Sequence, residues 1–287
     1  MIPTHAVLTH VNVIVTRMKH PHAGNTRILD YRPVERKIPR IKLWLYLLCL
    51  AAAFITQSSW STTIVIIRTR DSIIVAADSR SSIPIGESSV FFSHDDHYCK
   101  IRTFEKVAVA CAGVLEVDSL NFSVFKMAQE ACAGPGSIYN KLTRFDAMLR
   151  PALLAVWRLA QAGNHLPVAR IEIAFVGMYD DTPVFIHEQF EPDVRTDPPE
   201  TVVKRAFYPH RGMVDSLEMV VMGERAEIVN TSLIKPVKAD TYTGAAIKLV
   251  QIEIDAVSRV GGPIDVLCVD RNGHHWVQRK EECQDER

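Results

Sequence analysis

The chain lacks an excess of charge of either sign, since 33 Lys and Arg residues are matched by 33 Asp and Glu residues. Proteins that bind nucleic acid usually carry a marked basic surface. Proteins that attach to anionic membranes by electrostatics need a similar positive field. The balance of charge therefore argues against nucleic-acid binding and against attachment to a membrane through surface charge.

The sequence also lacks any pair of cysteines at the C-x-x-C spacing. Its six cysteines are Cys49, Cys99, Cys111, Cys132, Cys268 and Cys283. This spacing fits neither a zinc site nor a dense disulfide scaffold, so most of the cysteines are interpreted as small buried residues. One disulfide is possible if the protein is exported. The run His94-Asp95-Asp96-His97 offers ligand-type side chains, but sequence neighbours point in different directions. His274 and His275 follow a turn and are expected to be exposed. We expect no metal and no other cofactor.

An uncharged apolar run, LWLYLLCLAAAFI at residues 43–55, follows a basic segment and precedes a polar one. A membrane-spanning helix needs about 20 apolar residues, whereas the apolar part of a signal peptide has about 7 to 15. Residues 37–61 are therefore predicted to be a signal peptide, and residues 1–36 a disordered or leader extension. The protein is expected to be exported, to the periplasm or outside the cell. A retained membrane anchor, or a cytoplasmic protein whose leader is a propeptide, are the alternatives.

Two cleavage points suit a signal peptidase, which requires small side chains just before the cut. Ser59 and Ser61 satisfy this requirement for a cut that leaves Thr62 first. The alanines at residues 51–53 satisfy it equally for an earlier cut, which would leave eight further residues ahead of Thr62. The sequence does not rank the two.

The hydrophobic pattern after residue 61 predicts strands, then helices, then strands, then a helix and a closing hairpin. Predicted strands are 62–68, 72–78, 101–104, 107–112, 171–176, 183–187, 218–222, 264–269 and 274–277. Predicted helices run from Val117 to Gly134, from Ile138 to Gly163 with a kink or break at Pro151, and over residues 245–257, while residues 192–199 are predicted to be a loop. This grouping, without strict alternation of strand and helix, indicates an α+β domain.

Residues 62–80, TTIVIIRTRDSIIVAADSR, place two threonines before a hairpin and then A-A-D-S-R. This segment resembles the N-terminal-nucleophile hydrolases of the proteasome β-subunit and HslV type. Weaker matches are Lys100-Ile101, Ala112-Gly113 and residues 260–273. The resemblance implies a four-layer αββα sandwich over residues 62–278, with residues 279–287 as a charged C-terminal tail.

The resemblance makes Thr62 the catalytic nucleophile. A threonine hydroxyl attacks well only when a base removes its proton. The free α-amine of the same residue can be that base, because an α-amino group has a pKa of ~7.7–8.0. This chemistry requires Thr62 to be the first residue.

The resemblance also implies roles for other catalytic residues. Lys100 would lie beside the Thr62 hydroxyl and amine and lower their pKa values, and Asp78 would pair with Lys100. The N–H of Gly113 would bind the oxyanion. Asp255 and Ser258 would hold the α-amine.

Two further residues have less direct roles in this resemblance. Arg80 fits a supporting place beside Asp255 and Ser258. Cys111 either helps to line the substrate pocket or is a core cysteine, and the sequence leaves these two readings equal.

Two departures from the family pattern concern the nucleophile. Ser61 stands where a self-cleaving precursor carries glycine, and Met222-Gly223-Glu224-Arg225 lacks the serine of a serine-glycine motif.

The expected activity is hydrolysis of a peptide or other amide by a homo-oligomeric ring, with membrane contact only through an uncleaved leader. The alternative is a catalytically inactive binding or scaffold protein of the same fold.

Overall fold

The computed structural model describes residues 62–84, 92–161, 170–193, 200–210, 213–234 and 239–283. The predicted leader segments, 1–36 and 37–61, and the residues before both cleavage points lie outside these ranges. Within the described part of the chain, no helix has the length and apolar character needed to cross a membrane.

Fourteen strands and four α-helices make up the described fold. The strands are β1 (Thr63–Arg68), β2 (Ser72–Ala77), β3 (Ser81–Pro84), β4 (Phe92–Asp95), β5 (Ile101–Phe104), β6 (Val107–Ala112), β7 (Glu116–Val117), β8 (Phe122–Ser123), β9 (Ile171–Tyr179), β10 (Thr182–Asp193), β11 (Glu200–Tyr208), β12 (Glu218–Gly223), β13 (Asp265–Asp270) and β14 (Gly273–Gln278). The helices are α1 (Val124–Cys132), α2 (Ile138–Gln161), α3 (Ala226–Ile234) and α4 (Tyr242–Ala256), and short 3-10 turns occupy Asp118–Leu120 and Glu281–Cys283.

Two five-stranded antiparallel sheets form the centre of the domain. The first has the order β12-β1-β2-β13-β14 and the second has the order β11-β10-β9-β6-β5. Strand β1 shows why both faces of the first sheet are covered, since all six of its residues are buried. Successive side chains of a strand point to opposite faces. Ile64 and Ile66 accordingly pack toward the second sheet, whereas Val65 and Ile67 pack toward α3 and α4.

Helices cover the outer face of each sheet. Leu142, Phe145 and Leu149 recur at helical spacing in α2 and pack with Phe175 of the second sheet. In α4, Leu249 contributes to the cluster that covers the first sheet. The layers are therefore helix, sheet, sheet and helix, and the predicted α+β four-layer αββα sandwich is confirmed.

Some element boundaries differ from the prediction. The first helix begins at Val124 and not at Val117, because Val117 lies in β7 and a short turn follows it. Ser123 caps α1 by accepting a hydrogen bond from the Lys126 N–H at 3.4 Å. Pro151 lies inside one continuous helix.

The chain beyond Gln278 belongs to the folded domain. Lys280 is buried, forms an ion pair with Asp265 at 3.3 Å and donates a hydrogen bond to the Tyr98 carbonyl at 2.9 Å. Cys283 is also buried and forms a disulfide with Cys99. The segment predicted as a charged tail from residue 279 therefore packs on the domain as far as Cys283.

Candidate functional site

The carboxylate of Asp78 is the centre of a buried polar cluster at the end of β2. Its Oδ1 accepts hydrogen bonds from the Thr63 N–H at 2.7 Å and from Lys100 Nζ at 2.8 Å. Its Oδ2 accepts from the N–H groups of Arg80 at 3.2 Å and Gly261 at 3.1 Å. Asp78 is fully buried, and four donors offset the cost of removing its charge from water.

Lys100 approaches the same carboxylate from the start of β5. It is 1% exposed and also donates to the Arg80 carbonyl at 2.6 Å. Burial lowers the pKa of Lys100 below its ordinary value, and the charge and hydrogen bond of Asp78 oppose this effect. The lysine is thus held in a fixed position directly behind the first residues of β1.

Backbone groups of β12 and the residue after it hold Thr62 in place. The Thr62 carbonyl accepts from the Glu224 N–H at 2.6 Å, and the Thr63 hydroxyl donates to the Glu224 carbonyl at 2.9 Å. Gly223 has a φ of +75°, and a Cβ at this position would lie 2.0 Å from the Thr62 carbonyl oxygen and 3.4 Å from the Ala112 Cβ. Only glycine fits here. Because Gly223 lies close to both Thr62 and Ala112, the end of β6 lies near Thr62.

Gly113 follows Ala112 at the end of β6. Its φ is +114°, and a Cβ there would lie 2.6 Å from the Arg170 carbonyl oxygen. Both features require glycine. The chain thus turns sharply next to the Thr62–Gly223 contact, and donation by the Gly113 N–H to an oxyanion stays a prediction.

Arg80 connects three segments around the cluster. Its guanidinium binds both oxygens of Asp96, at 2.5 and 2.8 Å, and donates to the Ser258 carbonyl at 2.8 Å. A Cβ at Gly261 would lie 2.5 Å from Arg80 Cζ. The Arg80 backbone carbonyl also accepts a hydrogen bond from Lys100, so Arg80 contacts both the Asp78–Lys100 cluster and Ser258, and its supporting role stays a prediction.

Three predicted site residues are not brought into the Asp78–Lys100 cluster by their side chains. Asp255 is exposed and its Oδ1 accepts from Gln251 Nε2 at 2.7 Å. Ser258 is exposed and contributes its backbone carbonyl to Arg80. Cys111 is fully buried in the core between the second sheet and its helices, and burial raises the pKa of its thiol. This position matches the core-cysteine reading of Cys111.

Sequence reasoning missed Glu172, a fully buried carboxylate on β9 opposite Ala112. It pairs with Arg170, lies 3.3 Å from His187 Nε2 and 3.6 Å from Arg225 Nη1, and accepts from the Gly223 N–H at 3.4 Å. Burial would raise the pKa of Glu172, but the hydrogen bond and charge of His187, with the two arginines, bring it to about 2. A single acid in the apolar run IEIAFV is the signal that could have found it.

A second buried acid is Glu188 on β10. It lies on the face of the second sheet opposite to that of Glu172. It pairs with Arg205, which also pairs with Asp146 of α2. Burial, together with the hydrogen bond and charge of Asp146, outweighs Arg205 and raises the pKa of Glu188 to about 8. Glu172 and Glu188 are thus buried carboxylates on opposite faces of the second sheet, and their pKa values shift in opposite directions.

Comparison with known proteins gives structural matches only. No family model and no curated protein matches the chain. A structure of an Anbu mutant from Hyphomicrobium sp. strain MC1 matches with 15% identity and a TM-score of 0.47, covering 78% of this chain and 89% of that one. Anbu from Yersinia bercovieri, described as an ancestral beta-subunit, matches with 12% identity and a TM-score of 0.47, covering 76% and 88%.

These findings correct the expected family. The predicted membership of the proteasome β-subunit and HslV family is wrong, because no family model matches the chain and the matching structures cited here are described as Anbu. The resemblance consisted of short motifs, whereas a family model weighs the whole length of a chain. The αββα fold itself stands on the observed sheets and helices.

Proposed function

We propose that the chain is an amidohydrolase of the threonine type, with Thr62 as its nucleophile after residues 1–61 are removed. One observation carries the proposal: the Asp78 carboxylate binds both the Thr63 N–H and the Lys100 ammonium. A buried lysine costs several kcal/mol to keep charged without a partner. Asp78 therefore keeps the Lys100 ammonium charged and fixed near the start of β1. A positive charge at that place would help to activate the Thr62 hydroxyl once the Thr62 amine is free.

The first half of the reaction forms an ester. The Thr62 hydroxyl oxygen attacks the carbonyl carbon of the amide while its proton passes to the free α-amine of Thr62. The N–H of Gly113 and the positive charge of Lys100 stabilise the oxyanion. The carbon–nitrogen bond then breaks, the leaving amine takes the proton from the α-ammonium, and the acyl group remains on the Thr62 oxygen.

The second half of the reaction hydrolyses that ester. The α-amine, now free again, removes a proton from water as the water oxygen attacks the ester carbon. The bond to the Thr62 oxygen breaks, the carboxylic acid leaves, and the threonine hydroxyl regains its proton. In each half of the reaction the α-amine takes up one proton and releases it again, which closes the cycle.

A second candidate is a catalytically inactive binding protein of the same fold. The orientation of Asp255 favours it, because this carboxylate is exposed and bonded to Gln251 and not to the group around Thr62. Without that partner, the α-amine of Thr62 would lack one of the acceptors that the proposed mechanism needs to orient it.

The deciding experiment combines N-terminal sequencing of the native protein with labelling by a β-lactone, which acylates nucleophilic threonine. We expect a chain that starts at Thr62 and a single adduct on that residue. Thr62→Ser should retain labelling and hydrolysis of peptide amides, whereas Thr62→Ala should lose both. Native protein that keeps leader residues and still hydrolyses peptides would refute the mechanism. A chain starting at Thr62 that forms no adduct would support the inactive binding protein.

Export and self-assembly belong to the same proposal. The disulfide between Cys99 and Cys283 supports an oxidising compartment, in which such bonds persist. We propose that the protein is exported and acts on peptides as a homo-oligomeric ring. Cell fractionation and light scattering test these points, and a cytoplasmic monomer would contradict both.

A further inference from the structure

Three residues of the closing hairpin bring metal-ligand atoms together. Cys268 and Asp270 lie on β13 and His275 lies on β14. The Cys268 sulfur, an Asp270 carboxylate oxygen and a His275 ring nitrogen all lie within 4.8 Å of one another. Ligands bound to one zinc ion lie about 2.0–2.3 Å from it, so this spacing suits three ligands around a single ion.

The register of the hairpin explains the arrangement. Cys268 pairs directly with His275 across the two antiparallel strands. Side chains two residues apart on a strand share a face, so Asp270 lies on the same face as Cys268. The neighbours on the other face, Leu267 and Val269, are buried between the two sheets. The ligand face is partly exposed at the cysteine and the aspartate, and exposed at the histidine, which leaves a route for an ion.

The turn of the hairpin also orients the carboxylate. The Asn272 N–H donates to Asp270 Oδ1 at 2.7 Å. Ligating carboxylates are commonly held by such a second hydrogen bond. One oxygen is fixed by the turn, and the other is available to an ion.

We propose that Cys268, Asp270 and His275 bind one divalent transition-metal ion of the zinc class. A thiolate and an imidazole favour this class over magnesium or calcium, which prefer oxygen ligands. Water completes the fourth position of the tetrahedron. The sequence predicted no metal because these ligands are spread over both strands of a hairpin and contain no paired-cysteine motif.

The proposed ion is independent of the amide hydrolysis. Cys268 and Asp270 pair with Ile74 and Ser72, which lie four and six residues from Asp78 along β2. At about 3.4 Å per residue this is roughly 14–20 Å. The ion therefore joins the edge strand β14 to β13 at the end of the sheet opposite the buried Asp78 cluster. Metal that binds only the folded hairpin stabilises the fold.

Cobalt(II) titration of the full chain tests the proposal, since cobalt replaces zinc and gives a thiolate-to-cobalt charge-transfer absorption. We expect this absorption to saturate at one ion per chain. Cys268→Ser should abolish it, and His275→Asn should weaken cobalt binding by roughly tenfold or more. His274→Asn is the matched control, because His274 pairs with Val269 on the other face of the hairpin. It should leave both the absorption and the affinity unchanged.

The His275→Asn variant keeps the test meaningful if Cys268→Ser folds poorly, because His275 is exposed. Zinc alone should raise the unfolding temperature of the native chain and of His274→Asn, but not that of His275→Asn. Absence of the charge-transfer absorption, or the same cobalt affinity in His275→Asn as in the native chain, would overturn the proposal.

Discussion

Replacing Asp78 by asparagine tests the centre of the candidate site. The change keeps the shape of the side chain but removes its charge and replaces one acceptor oxygen by a donor NH₂ group. All four partners of Asp78 are donors. In either orientation, the asparagine NH₂ therefore faces two of them, either Thr63 and Lys100 or Arg80 and Gly261.

The expected loss of stability follows from burial. Asp78 is 0% and Lys100 is 1% exposed. Removing one partner of a buried ion pair costs about 3–5 kcal/mol, because the other charge stays buried without compensation. For a domain of this size each kcal/mol corresponds to roughly 2–4 °C in unfolding temperature, so we expect a drop of about 6–20 °C.

Urea and thermal unfolding measure this effect, with Asp71→Asn as the control. The Asp71 carboxylate is 72% exposed and lies 4.0 Å from Arg271, so its loss should change stability by less than about 0.5 kcal/mol. In the double variant Asp78→Asn/Lys100→Met, both charges are gone. Its loss should be smaller than the sum of the two single losses, by about 1–3 kcal/mol.

Two outcomes would refute this reasoning. The first is an Asp78→Asn protein as stable as Asp71→Asn. The second is strict additivity in the double variant, which would mean that Asp78 and Lys100 are not coupled in the folded state.

Three further predictions concern backbone fit, the disulfide and pH. Gly223→Ala should destabilise the fold by about 2 kcal/mol more than Gly273→Ala in urea unfolding. Both glycines have positive φ, but a Cβ would lie 2.0 Å from a carbonyl oxygen at Gly223 and would meet nothing within 4 Å at Gly273. Equal losses of stability would contradict this prediction. Reducing the Cys99–Cys283 disulfide, which closes a sequence separation of 184 residues, should cost about 2–4 kcal/mol in thermal unfolding, and an unchanged unfolding temperature would count against the bond. The pKa of Glu188 is raised in the fold from its ordinary 4.5 to about 8, so the native chain should lose stability as pH rises from 4.5 to 8. Glu188→Gln should not show this loss. If the difference in unfolding free energy between the native chain and Glu188→Gln stays constant from acidic to alkaline pH, the raised pKa is refuted.

The sequence predicted the strands whose two faces are both buried. Residues 62–68 are β-branched at nearly every position, and residues 72–78 contain the β-branched run Ile73-Ile74-Val75 followed by two alanines, so both identify strands whatever they pair with. Elements without such a run were harder to predict. Strand β11 (ETVVKRAFY) alternates exposed and partly buried residues, and α3 (AEIVNTSLI) is short, so neither has a strong periodic signal of its own.

The candidate site shows the same division. The motif around Asp78 and the lysine at residue 100 predicted a pair that the structure brings to 2.8 Å. The surroundings of Asp255 depend on how the end of α4 is oriented, and spacing along the sequence does not encode that orientation. Glu172 was missed because its partners other than Arg170 come from β10 and from the segment after β12, which meet it only in the folded chain.

The anchoring of Thr62 has a consequence for activation. Its carbonyl, the following amide and the Thr63 hydroxyl make the contacts that fix the start of β1, and all of these groups lie downstream of the Ser61–Thr62 bond. Hydrolysing that bond removes none of them. Under the proposed function, a precursor would therefore already hold the Thr62 backbone in place, and processing would only free the Thr62 nitrogen. Any peptidase that cuts at this bond would then yield the same N-terminal residue, with no refolding step between the precursor and the processed chain.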